Sequence, residues 1–148
     1  MAEQLFPVFE IPTTTQRQEE EKQCVFLPGP LFDFVSGDFA LDGAHQFTMV
    51  DGLDQYMIWC LKTLQTQRGA CAAYPEYGVD SHGALSEASH GAVCSAFERT
   101  ITEALMRNPR TERVYGFDFA WNADSLAIVF IVKPQGFDAF DITMNVVT

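Results

Sequence analysis

The side chains that could do chemistry are few and scattered. Cys71, His82, His90 and Cys94 form the one grouping of metal-ligand types, and His90 and Cys94, four apart, could share a helix face. Zinc sites usually bring their ligands in tighter pairs, and no Cys-x-x-Cys occurs. No metal is therefore assigned, and Cys24, Cys60, Cys71 and Cys94 read as small apolar residues. Glycoside hydrolysis needs only two carboxylates at a fixed separation in space. Glu76 and Asp80, in Tyr74-Pro75-Glu76-Tyr77-Gly78-Val79-Asp80, are the least arbitrary pair, although the tyrosines read more simply as loop packing. No Gly-x-Ser-x-Gly elbow, P-loop, dinucleotide fingerprint, His-Glu-x-x-His or kinase signature is present, so no catalytic residue and no cofactor is assigned.

Any such residue must be positioned by a core, and the composition supplies one. The 148 residues are 47% hydrophobic and 13% aromatic, with thirteen Phe, which suits a single compact domain rather than a disordered chain. No apolar run approaches the roughly 20 residues of a membrane span. The opening Met1-Ala2-Glu3-Gln4-Leu5 has no basic segment followed by an apolar one, so a cytosolic location is expected. Twenty acids against nine bases give a net charge of -11, which repels phosphate backbones and anionic lipid; neither nucleic acid nor membrane is expected as a partner.

Residues 1–30 read as an extended arm. Pro7 and Pro12 block a helix, residues 13–22 are polar and aperiodic, and Phe6, Phe9 and Ile11 give apolar points with which to lie on the chain's own domain or on a neighbour. Residues 31–148 read as one α+β domain. Phe32–Val35 and Gln46–Val50 predict a loose hairpin across Gly37-Asp38 and Asp42-Gly43. Asp51 is placed to cap a helix carrying Leu53, Met57, Leu61 and Leu64, its face widened by Tyr56, Trp59 and Cys60, with Gly69 able to end it. Residues 70–88 read as irregular. A second helix begins near Ser89 or His90, buries Val93, Phe97, Ile101, Ala104 and Leu105, and stops at Asn108-Pro109. Three strands follow, with Tyr115, Phe117, Phe119 and Trp121 on one face of the first, Leu126, Ile128, Phe130 and Val132 in the second, and Phe140, Ile142, Met144 and Val146 in the third. The expected architecture is two main helices packed on an antiparallel sheet with a C-terminal three-stranded meander.

The order and spacing of Leu31-Phe32-Asp33-Phe34, Gly37-Asp38-Phe39, Leu64-Gln65-Thr66-Gln67-Arg68-Gly69, Tyr74-Pro75-Glu76-Tyr77-Gly78 and Asn108-Pro109-Arg110 resemble a known family. The family is the baseplate wedge and sheath-initiator proteins of contractile phage tails, with closest likeness to the branch of Gram-positive prophages and phage-tail-like bacteriocins. The resemblance covers roughly residues 31 to 133. The better-known branch carries Glu-Pro-Arg after the second helix; here Pro109 and Arg110 match while Asn108 replaces the glutamate, so a charge-assisted contact centred on that position cannot form.

The resemblance implies a structural assembly protein, not an enzyme. It implies several copies in a six-fold-symmetric baseplate around the tail tube, partnered by other wedge proteins and by sheath, whose first ring attaches by strand addition. Assembly in the bacterial cytoplasm and residence in the baseplate follow. The segment Phe140 to Val147, alternating and close to the C-terminus, is the candidate sheet edge, since an unpaired strand edge offers backbone donors and acceptors to an incoming strand. The candidate interface residues are Arg68, Tyr77, Pro109, Arg110, Phe140, Ile142, Met144 and Val146, with Phe6 and Phe9 of the arm expected on another wedge component. Asn108-Pro109 reads equally as a helix stop. The alternative reading is a cell-wall-degrading, glycosidase-type tail enzyme using Glu76.

Overall fold

Alternation of apolar and polar residues at the C-terminal end builds the sheet on which the rest packs. The structure, a computed structural model, describes residues 26–147. Strands β5 (Thr111–Asn122), β6 (Ser125–Pro134) and β7 (Phe140–Val147) form an antiparallel sheet in the order β5-β6-β7. Leu126, Ile128, Phe130 and Val132 of the central strand are fully buried, as their period of two predicts. Phe140, Ile142, Met144 and Val146 of β7 join the same core.

Strand β5 departs from the expected face. Gly116, at a φ of 70°, sits in a register shift between Tyr115 and Asp118, so one extra residue turns the strand over. Val114, Phe117, Phe119 and Trp121 pack on the core, while Tyr115 leaves that face and lies under the Arg113 guanidinium at 4.3 Å.

Helices α1 (Gly52–Gln65), α2 (Ser81–Leu85) and α3 (His90–Met106) complete the domain. In α3 the Ser89 hydroxyl accepts from the Ala92 N–H at 3.2 Å, and the predicted stripe from Val93 to Leu105 is buried. In α1 the buried line is Tyr56, Cys60 and Leu64, so the face is centred one position round from Leu53, Met57 and Leu61, which are half-buried. Asp51 occupies the N-cap without a side-chain cap bond, and the helix ends at Gln65 before reaching Gly69. Thr66 ends it instead, its extended backbone leaving the helix while its hydroxyl bonds the Lys62 carbonyl at 2.7 Å. Gly69 serves the turn that follows. Helix α2 lies in the stretch expected to be irregular; at five residues it is too short for a periodic signal.

The expected hairpin between residues 32–35 and 46–50 does not form. Instead β1 (Gly29–Pro30) pairs with β4 (Met49–Val50), and β2 (Phe32–Asp33) pairs with β3 (Asp38–Phe39) across a tight turn at Gly37. Edge-to-face ring contacts run from Phe34 through Phe32 and Phe39 to Phe47. Lys62 of α1 places its ammonium 4.6 Å from the Phe32 ring and 4.9 Å from that of Phe39, tying this small module to the helix.

One buried polar contact ties three elements together. The Tyr56 hydroxyl of α1 lies 2.7 Å from Thr111 Oγ1 at the start of β5, and Thr111 Oγ1 donates to the Leu105 carbonyl of α3 at 2.8 Å. Thr111 donates to the carbonyl, so Tyr56 donates to Thr111 and both hydroxyls are satisfied. Thr111→Val orphans a buried phenol and a carbonyl, and should cost about 1–3 kcal/mol in denaturant unfolding. Tyr56→Phe added to it should cost little more, because the bond is already gone; additive losses would contradict this linkage.

Candidate functional site

The loop between α1 and α2 is pinned at both ends. Val79 N–H donates to the Thr66 carbonyl at 2.9 Å and Arg68 N–H to the Val79 carbonyl at 3.0 Å, a short parallel bridge. Gly78 turns the chain into that bridge at a φ of 96°, and a Cβ there would collide with the Thr66 carbonyl oxygen, so both conformation and space require glycine. Tyr77 is half-buried, with its hydroxyl 3.0 Å from Thr63 Oγ1, which also bonds the Trp59 carbonyl at 2.8 Å. Arg68 reaches Glu103 of α3 at 3.5 Å and keeps its Nη2 buried without a hydrogen-bond partner.

The two carboxylates considered for hydrolysis are engaged in holding this loop. Asp80 caps α2, accepting from the Gly83 N–H at 3.0 Å and from Gln67 Nε2 at 3.0 Å. The Gly83 bond first, then Gln67, holds its pKa below the usual carboxylate range, opposite to what a general acid needs. Glu76 is exposed and pairs with Arg107, the C-cap of α3, at 3.0 Å, while Arg107 also donates to the Glu76 carbonyl at 2.8 Å. Burial pushes the Cys60 thiol up to about 12, which keeps it protonated and inert. Among the described residues, no three His, Cys, Asp or Glu side chains gather as a metal site. His90 instead stacks on Trp121, ring centroids 4.1 Å apart.

After α3 the chain turns through Asn108-Pro109-Arg110. Asn108 Oδ1 accepts from the Arg110 N–H at 3.0 Å and its carbonyl accepts from Thr111 N–H at 2.9 Å, so Asn108 closes the turn that starts β5. Pro109 is exposed within it. Arg110 sets its guanidinium over the Phe26 ring at 5.4 Å and gives its carbonyl to Gln135 N–H at 2.8 Å.

The sheet has two edges of different character. Among the described residues, β7 pairs with β6 alone, in register from Ser125↔Val147 to Val132↔Phe140 without a bulge. Beside it runs a groove of about 370 Å³ whose walls include Leu61 and Leu64 of α1 and Met144 and Val146 of β7. Strand β5 also borders no further strand among the described residues, but its pairing is broken twice, at Thr111/Arg113 and at Tyr115/Asp118. The side chains of Phe140, Ile142, Met144 and Val146 face the core, so what β7 presents outward is its backbone together with Asp141, Thr143, Asn145 and Val147. In the sequence Leu61 and Leu64 read only as helix core, and Thr143 and Asn145 carry no signal beyond alternation. Phe6 and Phe9 lie outside the described residues.

The Asp80 geometry has a pH consequence. Its folded-state pKa is lowered, so its stabilising contribution is complete above the ordinary carboxylate value of 3.8 and is lost as pH falls through the folded value. Asp80→Asn should therefore flatten the acid limb of the stability curve below about pH 4, measured by denaturant unfolding; an unchanged acid limb would contradict the assignment.

The family model for the contractile injection system sheath initiator matches residues 30–135. A search of curated proteins finds no match. Among solved structures, the chain is similar to a crystal structure from Geobacter sulfurreducens provisionally described as a tail lysozyme, at 17% identity and a TM-score of 0.58, covering 69% of this chain and 96% of that one. At that identity the likeness shows the fold alone. The family match spans well over half of the sequence: the chain belongs to the sheath initiators of contractile injection systems, structural components of the baseplate that assemble with sheath and baseplate proteins.

Proposed function

We propose that this chain starts the sheath by accepting a sheath strand along the free edge of β7, without catalysing a reaction. The observation that carries this reading is the contrast between the sheet's edges. Strand β7 offers eight residues of unbroken register with one charged side chain, Asp141, beside a groove of mixed polarity that includes Leu61 and Leu64, whereas β5 is bulged at Gly116 and carries Glu112, Arg113 and Asp118. Bulges and charges are the usual devices against edge pairing, so strand addition is favoured on one side only. An incoming strand would gain ladder hydrogen bonds from the backbone of Phe140, Ile142, Met144 and Val146 and their neighbours, and its inward side chains would lie over Leu61 and Leu64. The role of Asp80 and Glu76 as loop anchors supports the non-enzymatic reading.

In this reading residues 31–148, joined by Phe26 and by Gly29–Pro30 of β1, act as one wedge domain, and the residues before them act as an arm. Several copies surround the tube with six-fold symmetry after assembly in the bacterial cytoplasm. Arg68, Tyr77, Pro109 and Arg110 shape the surface that meets wedge neighbours, and Phe6 and Phe9 of the arm reach such a neighbour in the particle. The exposed side chains of Leu41, Phe47 and Met49 offer a further apolar surface for that contact.

Co-expression with the sheath, tube and wedge proteins of its own gene cluster, followed by pull-down, tests the reading. Thr143→Lys with Asn145→Lys puts two charges on the exposed face of the edge strand, where they disfavour pairing but leave the core untouched. The variant should keep its melting temperature and its wedge partners while losing most of its sheath. Full sheath retention would contradict strand addition at β7.

A further inference from the structure

A cavity larger than the groove beside β7 lies away from the sheet edge. It is an open cleft of about 980 Å³ between the end of α1 and the pinned loop, walled by Trp59, Cys71, Tyr74, Pro75, Tyr77 and Arg107. Its size is at the upper end of the roughly 300–1,000 Å³ of ligand pockets. Tyr74 is 70% exposed, so the described chain leaves most of it uncovered. A wall of Trp, Tyr and Pro is the surface on which extended, proline-containing segments dock, because flat rings pack against a preformed backbone that has little entropy left to lose.

We propose that the segment Phe6-Pro7-Val8-Phe9-Glu10-Ile11-Pro12 of the same chain occupies this cleft in the free protein. Three observations select it. The first is where the described chain begins: the Phe26 ring meets Tyr56 edge-on at 5.9 Å, and Tyr56 stacks on Trp59 at 5.9 Å, so the arm enters one ring away from the cleft wall. The second is reach. Pro12 lies fourteen residues before Phe26, a span of up to about 45 Å when extended, against a domain radius of gyration of about 14 Å. Tethering at that length gives an effective concentration in the millimolar range, enough to populate a contact too weak to form between separate molecules. The third is chemistry. In a polyproline-type backbone with three residues per turn, Phe6 and Phe9 fall on one side, suited to the aromatic wall. Glu10 is then available to Arg107, which lines the cleft beside its ion-pair partner Glu76.

The cleft thus stores the arm in the free chain, and passage of the arm to a wedge neighbour would empty it. The inference stands on the cleft and on the entry point of the arm, and is independent of what binds β7.

The test uses the full chain carrying Cys24→Ser, Cys94→Ser and Val8→Cys, which leaves Cys71 as the thiol in the cleft wall and Cys60 buried. Mild copper–phenanthroline oxidation should join positions 8 and 71 within one molecule, with the same yield at high and low protein concentration. A matched chain with Cys71→Ser and Met49→Cys, reporting on the exposed Phe47 and Met49 surface, should cross-link at least several-fold more slowly. Covalent dimers as the main product would assign the cleft to a second copy's arm, faster capture at position 49 would place the arm on the other surface, and no cross-link would leave the arm undocked; each overturns the proposal. In a Trp121→Phe background, deletion of residues 2–22 should also shift Trp59 emission to the red, and an unchanged spectrum would contradict the proposal.

Discussion

A pair of buried hydroxyls fixes how the two long helices meet the sheet. Tyr56 belongs to α1, Thr111 begins β5, and the Leu105 carbonyl they serve lies in the last turn of α3. Apolar packing alone is tolerant of small rotations, but a buried phenol has few places to put its proton. Because Thr111 is fixed, the turn through Asn108 is fixed, and with it the start of the meander that ends in β7. Because Tyr56 is fixed, Trp59 one turn on and Thr63 two turns on are placed where they receive the Tyr77 loop. Groove and cleft are both consequences of that one tie.

The charged side chains follow the same division between scaffold and surface. Arg107 and Glu76 clamp the loop to α3, Asp80 caps the short helix, and Lys62 holds the aromatic module. Each is committed to shaping a surface, and the exposed ion pair contributes little energy on its own. A chain built this way has its polar groups spent on geometry. Such spending suits a part that must present edges and clefts to other proteins at fixed angles.

How much of this was legible in the sequence depended on how far each signal repeated. The alternation of β6 and β7 and the stripe of α3 run for several periods, so their faces could be read residue by residue. The β5 face could not, since a single Gly116 reverses the parity and glycine within a strand does not by itself declare a bulge. The module of residues 26–50 was misread because its ladders are two residues long and are held by ring contacts and turns, not by a register that alternation could reveal. At the candidate site, Asn108 was legible as a helix stop. The groove beside β7 was not, because it joins Leu61 and Leu64 to a strand some eighty residues further along the chain.

The central claim is that β7 is the edge that receives the sheath, and amide hydrogen exchange measures it directly. In an antiparallel edge strand every second N–H faces outward without a ladder partner, so alternate amides of residues 140–147 should exchange fast in the free protein. On complex formation with sheath protein, those same alternate amides should slow while β5 amides are unaffected. Protection at β5 or in residues 26–50, with β7 exchange unchanged, would contradict the account.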